Sequence, residues 1–126
     1  MVNVEKHIVY WLTGAERAWQ DSEWLLTGKR YEFAAFAAHL ALEKMLKAHV
    51  TKVTSDIPPR IHDLLYPAKL AAFTPSPEQT ELLREFNEYQ LEGRYPRIDR
   101  PPLDPLAIRE NIRKGKEFYQ WLKQQL

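Results

Sequence analysis

The stretch that decides the fold reads Tyr31-Glu-Phe-Ala-Ala-Phe-Ala-Ala-His-Leu-Ala-Leu-Glu-Lys-Met-Leu-Lys-Ala48. On a helix, Ala34, Ala38, Ala41 and Met45 form one face, and Ala35, Leu42 and Leu46 form its neighbour. Phe36 and Leu40 lie near the far side. A helix that is apolar almost all the way round is a buried one. Six alanines between Ala34 and Ala48 let neighbouring helices approach closely. The polar exceptions are His39, Glu43, Lys44 and Lys47. His39, Glu43 and Lys47 recur every fourth residue as one narrow stripe, and Glu43 preceding Lys47 is the favourable order for an ion pair one turn apart. The spacing predicts a helix over about 31–53.

Toward the N-terminus, Ile8, Trp11, Leu12, Ala15, Trp19, Leu25 and Leu26 share a helical face, which predicts a helix over about 4–27 that stops at Gly28. Tyr10 and Trp24 break the pattern. They lie near Arg17 on the side expected to face water, where an aromatic pair either covers a partner or is half-buried by a loop. Toward the C-terminus, Pro58-Pro59 forces an extended path before a short helix over about 63–73. Ser76, Pro77 and Gln79 form a capping box that opens a fourth helix over about 77–92. It carries a stripe of Glu78, Glu81, Glu85, Glu88 and Glu92 beside Leu82, Phe86 and Tyr89. Asp104 and Pro105 open the last helix, whose core face is Ile108, Ile112, Gly115, Tyr119, Leu122 and Leu126. The expected fold is all-α: an up-and-down antiparallel bundle of four long helices plus one short one.

The chain has 126 residues, which fits one domain over 1–126. Eighteen basic against seventeen acidic residues leave a net charge of +1, so no global field announces a nucleic acid or a membrane. The absence of cysteine excludes disulfides, thiolate catalysis and iron–sulfur clusters. No apolar run is long enough to span a membrane, and Met1-Val-Asn-Val-Glu-Lys6 lacks a signal-peptide layout, so a cytoplasmic location is expected. The sequence contains no Gly-rich phosphate loop, no His-Glu-x-x-His, no Gly-x-Ser-x-Gly and no Glu-x-x-His, so neither a metal enzyme nor a cofactor is expected.

What remains is a local cationic set. Between Arg94 and Lys116 there are seven basic residues and three acids, a local net charge of +4. Glu78 to Glu92 has five glutamates and one arginine, a net −4. Arg94, Arg97 and Arg100 recur every third residue in a segment stiffened by Pro96 and Pro101. Guanidinium groups bind phosphate bidentately, and Tyr95 is placed to stack on a base. The other reading pairs these arginines with the glutamate stripe. Lys44 and Lys47 are further phosphate candidates, or are anchored by Glu43. His62, after Pro58-Pro59-Arg60, is either a proton shuttle or a packing residue.

The ordered set resembles the HEPN family (higher eukaryotes and prokaryotes nucleotide-binding domain) over nearly the whole chain. The resemblance rests on Ala41-Leu-Glu-Lys-Met-Leu-Lys-Ala48, on His62-Asp-Leu-Leu65 after the proline break, and on Arg94-Tyr-Pro96 after the fourth helix. It implies a helical bundle that commonly forms homodimers, and nucleotide or RNA binding. It also implies a possible partner, a minimal nucleotidyltransferase. Some members are metal-independent RNases or the toxin half of a toxin–antitoxin pair, and these carry Arg followed by His after four to six residues on a late helix. No histidine follows Arg94 here, so that motif is absent. The expectation is therefore a binding module with Lys44, Lys47, His62, Arg94, Tyr95 and Arg97 at its nucleotide or phosphate site. The alternatives are a ribonuclease using His62 and Arg94, or a purely structural scaffold. Which nucleotide, which partner and which dimer face stay open.

Overall fold

A computed structural model describes residues 3–90 and 103–126. Five helices, and no strand among the described residues, follow in the order α1 (Val4–Thr27), α2 (Tyr31–Thr54), α3 (Leu65–Leu70), α4 (Pro77–Asn87) and α5 (Pro105–Gln125). Their starts are set by local chemistry. Asn3 accepts from the Lys6 amide, Ser76 and Gln79 cap each other reciprocally, and Asp104 accepts from the Leu106 amide ahead of Pro105.

The α1–α2 join differs in one detail from its sequence reading. Gly28 is the last cap, but the left-handed residue is Lys29, with φ 59°. The Arg30 amide donates to the Leu25 carbonyl and the Lys29 amide to that of Leu26, so the turn is a Schellman motif displaced one residue past the glycine. It folds α2 back antiparallel to α1, and the hydroxyl of Ser22 donates to the Ala34 carbonyl at 2.7 Å. Ala15, Ala34, Ala35, Ala38 and Ala41 are fully buried, the close helix approach expected from the alanine run.

α2 runs through the centre and packs on α1, α3, α4 and α5. Trp19 stacks on Tyr119 at 5.1 Å, while Lys116 reaches Glu23 and Lys123 reaches Glu16, so α1 and α5 are antiparallel. The hydroxyl of Tyr119 is held above its usual pKa by burial, with the Glu16 carboxylate adding to the shift. Asn111 on α5 donates to Glu85 on α4 and to Tyr89 just past its end, and Gly115 receives the ring of Phe86. The result is an up-and-down bundle with its core on α2.

Two helices are shorter than expected. α3 spans only Leu65–Leu70, because Asp63 accepts from the Leu65 amide and starts the helix there, while Ala72 takes a left-handed turn (φ 57°) that ends it. α4 ends at Asn87, where the Glu88 and Tyr89 amides switch to bonds three residues back. The expected continuation to Glu92 lies partly outside the described residues.

His49 ties α2 to the end of α5. Its Nε2 donates to the Leu122 carbonyl at 2.7 Å, and Lys52 reaches the Leu126 carbonyl at 2.8 Å. Burial pushes the His49 pKa below its usual 6.5; the Leu122 bond opposes the shift and Lys52 adds to it. The unfolded chain therefore binds the proton more readily. This stability term is complete above about pH 6.5 and is lost as pH falls through that value toward the folded one. Urea midpoints should fall between about pH 7 and about pH 5, and His49→Gln should flatten that part of the curve. An identical slope in both proteins would show that another group controls it.

Candidate functional site

The stripe of His39, Glu43 and Lys47 is present as spaced, but it is buried. His39 is fully covered, Glu43 is 3% exposed and Lys47 6% exposed. Its cover comes from distant parts of the chain. The Lys47 ammonium lies 5.2 Å from the centre of the Trp11 ring on α1. The segment before α3 closes the other end, where the His62 Nδ1 donates to Glu43 Oε1 at 2.9 Å. Glu43 Oε2 lies 3.5 Å from the Lys47 ammonium. One buried carboxylate therefore spans an imidazole and an ammonium.

Two further contacts hold His62 in place. The His39 Nε2 donates to the His62 carbonyl at 3.1 Å. Asn87, at the end of α4, accepts from the Leu64 amide at 2.9 Å and donates to Asp63 at 2.8 Å. The His62 carbonyl is thus anchored to α2, and the two residues that follow it to α4. Because the ionised carboxylate can only accept, Glu43 fixes the proton of a neutral His62 on Nδ1 and makes Nε2 the basic nitrogen. The His62 side chain is 37% exposed, so the ring bridges a buried carboxylate and the surface. Such an arrangement can orient an imidazole for hydrogen bonding to a phosphate, or for proton transfer.

The structure brings together two of the six expected site residues, His62 and Lys47, through Glu43. Lys44 lies elsewhere, with its chain folded over Gly14 of α1; a Cβ at Gly14 would stand 3.0 Å from its Cδ and 3.2 Å from its Nζ. Arg94, Tyr95 and Arg97, together with Arg100, lie outside the described residues. Among the described residues, the rest of the cationic set is largely matched by partners other than the α4 stripe. Arg113 pairs with Glu110 and Glu117, Lys116 pairs with Glu23, and Arg109 lies over the ring of Tyr31. The Arg113 bond holds the Glu110 carboxyl below its usual pKa.

A concavity of about 660 Å³ lies between α4 and α5, and His62 does not line it. Glu78, Glu81, Glu85 and Glu117 outnumber Arg113 and Lys114 along it, which disfavours a phosphate there. The charge of the α4 stripe thus faces a groove of its own.

Sequence reading missed Glu43 as the partner of His62, along with Trp11, His39 and Asn87 as its supports. The four-residue spacing of Glu43 and Lys47 was the visible part of the signal. The pairing with His62 spans nineteen positions and has no local signature.

An all-helical up-and-down bundle built around one buried central helix defines the class of domain. The chain belongs to the HEPN family: the HEPN domain matches residues 8–125. Two solved structures are similar along nearly their whole length. One is ST0689, an archaeal HEPN homologue, at 21% identity and a TM-score of 0.71, covering 99% of this chain and 98% of that one. The other is TT1696 from Thermus thermophilus, at 21% identity and a TM-score of 0.71, covering 94% and 98%. At this identity the likeness shows a shared fold. No curated protein matches the sequence.

Proposed function

We propose that the chain is a single-domain HEPN module that binds a nucleotide or RNA in the cytoplasm. In this reading it acts as a homodimer beside a minimal nucleotidyltransferase. Arg94 and Arg97 grip phosphate, Tyr95 stacks on a base, and His62 supplies an oriented hydrogen bond. The observation that carries the reading is the anchored His62, held by a carboxylate that is itself buried. Lys47 supports Glu43 from inside the pair, and Lys44 is the weaker phosphate candidate because it lies over Gly14.

RNA binding should weaken as salt rises, since each phosphate contact releases a counterion. Arg94→Ala with Arg97→Ala should lower the affinity and flatten the log–log salt slope by about 1.4 for a single strand. Titrations at two salt concentrations measure both. An unchanged affinity and slope in the double variant would remove these arginines from the site.

The second reading is a metal-independent, toxin-type ribonuclease. The Glu43–His62 bond favours it, since a carboxylate-backed imidazole is suited to general acid–base work and Arg94 would stabilise the developing phosphate charge. Cleavage that persists in EDTA and is lost in His62→Ala would establish this reading. No cleavage of a broad RNA panel would leave the binding module.

A further inference from the structure

One side of the α1–α2 hairpin is uncovered although it is aromatic. Trp24 is 76% exposed, Tyr10 66% and Phe33 59%. A shallow apolar depression of about 340 Å³ lies between the helices, lined on one side by Asp21, Trp24 and Leu25 and on the other by Phe33, Phe36 and Leu40. Along α1 this face reads Tyr10, Gly14, Arg17, Asp21, Trp24 and Gly28. The steps alternate between four and three residues, which is the repeat of a seam where two helices pair.

The face is complementary to itself. If a second α1 runs antiparallel across it about a point level with Trp19, each residue meets the one equally distant on the other side. Arg17 then faces Asp21 of the second copy, Gly14 faces Trp24, and Tyr10 faces Gly28. Cation meets anion, Tyr10 meets Gly28, and Trp24 meets Gly14 with the Lys44 chain beside it. Neither Arg17 nor Asp21 has an ion pair with another described residue of its own chain.

The neighbouring helix obeys the same axis. The Ser22–Ala34 bond and the Lys44 chain over Gly14 set the hairpin register, so the level of Trp19 on α1 falls near Ala38 on α2. Inverting α2 about that level places Phe36 against Leu40 of the second copy, and Phe33 within one residue of Lys44. The Lys44 ammonium, beside Gly14, also lies where the incoming Trp24 ring would rest, a cation–π arrangement.

We propose that this α1–α2 face is where a second copy of the chain docks, two-fold and antiparallel, with α1 on α1. The contact is isologous, so each favourable pair occurs twice. It rests on the homodimer of the reading above and makes no use of nucleotide or RNA.

Sedimentation equilibrium of the full chain tests it, with circular dichroism confirming that each variant is folded. Trp24→Asp, at an exposed position, should weaken the dimer on the order of 30-fold or more, the size expected for loss of a hot-spot aromatic. Arg17→Asp alone and Asp21→Arg alone should each weaken it, and the two together should restore it. A dimer indifferent to all three changes would overturn this face while retaining the homodimer. Single reversals that weaken association without rescue by the pair would overturn the antiparallel register. A wild-type protein that stays monomeric at high concentration would overturn both the face and the homodimer, and would leave the nucleotide reading to its own test.

Discussion

Replacing Glu43 by alanine is expected to destabilise the fold by about 3–5 kcal/mol, the usual cost of removing one partner from a buried ion pair. The carboxylate is the only anion bonded to Lys47 among the described residues, and the Lys47 side chain is 8% exposed. Without Glu43 the ammonium is left against the ring of Trp11, which offers an attraction worth about 2 kcal/mol, short of the cost of desolvating a charge. The same change takes away the acceptor of the His62 Nδ1 proton, so the imidazole loses its fixed tautomer as well. Removing both charges should behave differently. Glu43→Leu combined with Lys47→Met fills similar volume with apolar groups, and such replacements are often neutral or stabilising. Urea unfolding of the two single variants and the pair measures the difference. A loss below about 1 kcal/mol for Glu43→Ala would show that water reaches Lys47 and that the pair is effectively a surface one.

That contrast also explains what the sequence could and could not reveal. The course of α2 was legible because apolar residues occupy almost every face over a length no ordinary strand reaches. The pairing of Glu43 with Lys47 was legible because it is local. Its burial was not, because the cover is Trp11 on another helix and His62 beyond the proline break. Periodicity reports which side of a helix is apolar, and says nothing of what a loop will lay across a polar stripe.

The ends of α3 and α4 failed for a related reason. The glutamate stripe continues in helical spacing to Glu92, yet Asn87 spends its side chain on the Leu64 amide and Asp63, and the α4 amides tighten just after it. A tertiary clamp there overrides a helical pattern. The turn after α1 shows the opposite case. Gly28 correctly announced a stop, but the left-handed position went to Lys29 because the Schellman bonds of Lys29 and Arg30 select it. As for the candidate site, residue type and order singled out His62 and Lys47, and the fold brings both to Glu43, whereas Arg94, Tyr95 and Arg97 fall outside the described residues and rest on the sequence.

Phe86→Ala is expected to cost about 3–5 kcal/mol, and it should reverse the effect of a second substitution nearby. Phe86 is fully buried, edge-on to Tyr89 at 5.3 Å, and its ring tip enters the space left by the missing side chain of Gly115. A Cβ at Gly115 would stand 2.7 Å from Cζ and 2.9 Å from Cε2 of that ring, too close for either group to stay where it is. In the wild-type background, Gly115→Ala gains about 1 kcal/mol of helix propensity but forces the ring to move, at about 1–3 kcal/mol for overpacking. The net change should be destabilising. Once Phe86 is alanine the obstruction is gone. The propensity gain then acts alone, and the added methyl fills part of the cavity, so Gly115→Ala becomes stabilising. Chemical denaturation of the two single variants and the double variant closes the cycle. Two effects that add to within about 0.5 kcal/mol would show that the residues do not share this contact. A reversal of sign would show that the glycine in α5 is required by the phenylalanine of α4, and that the packing of these two helices is set by that one insertion.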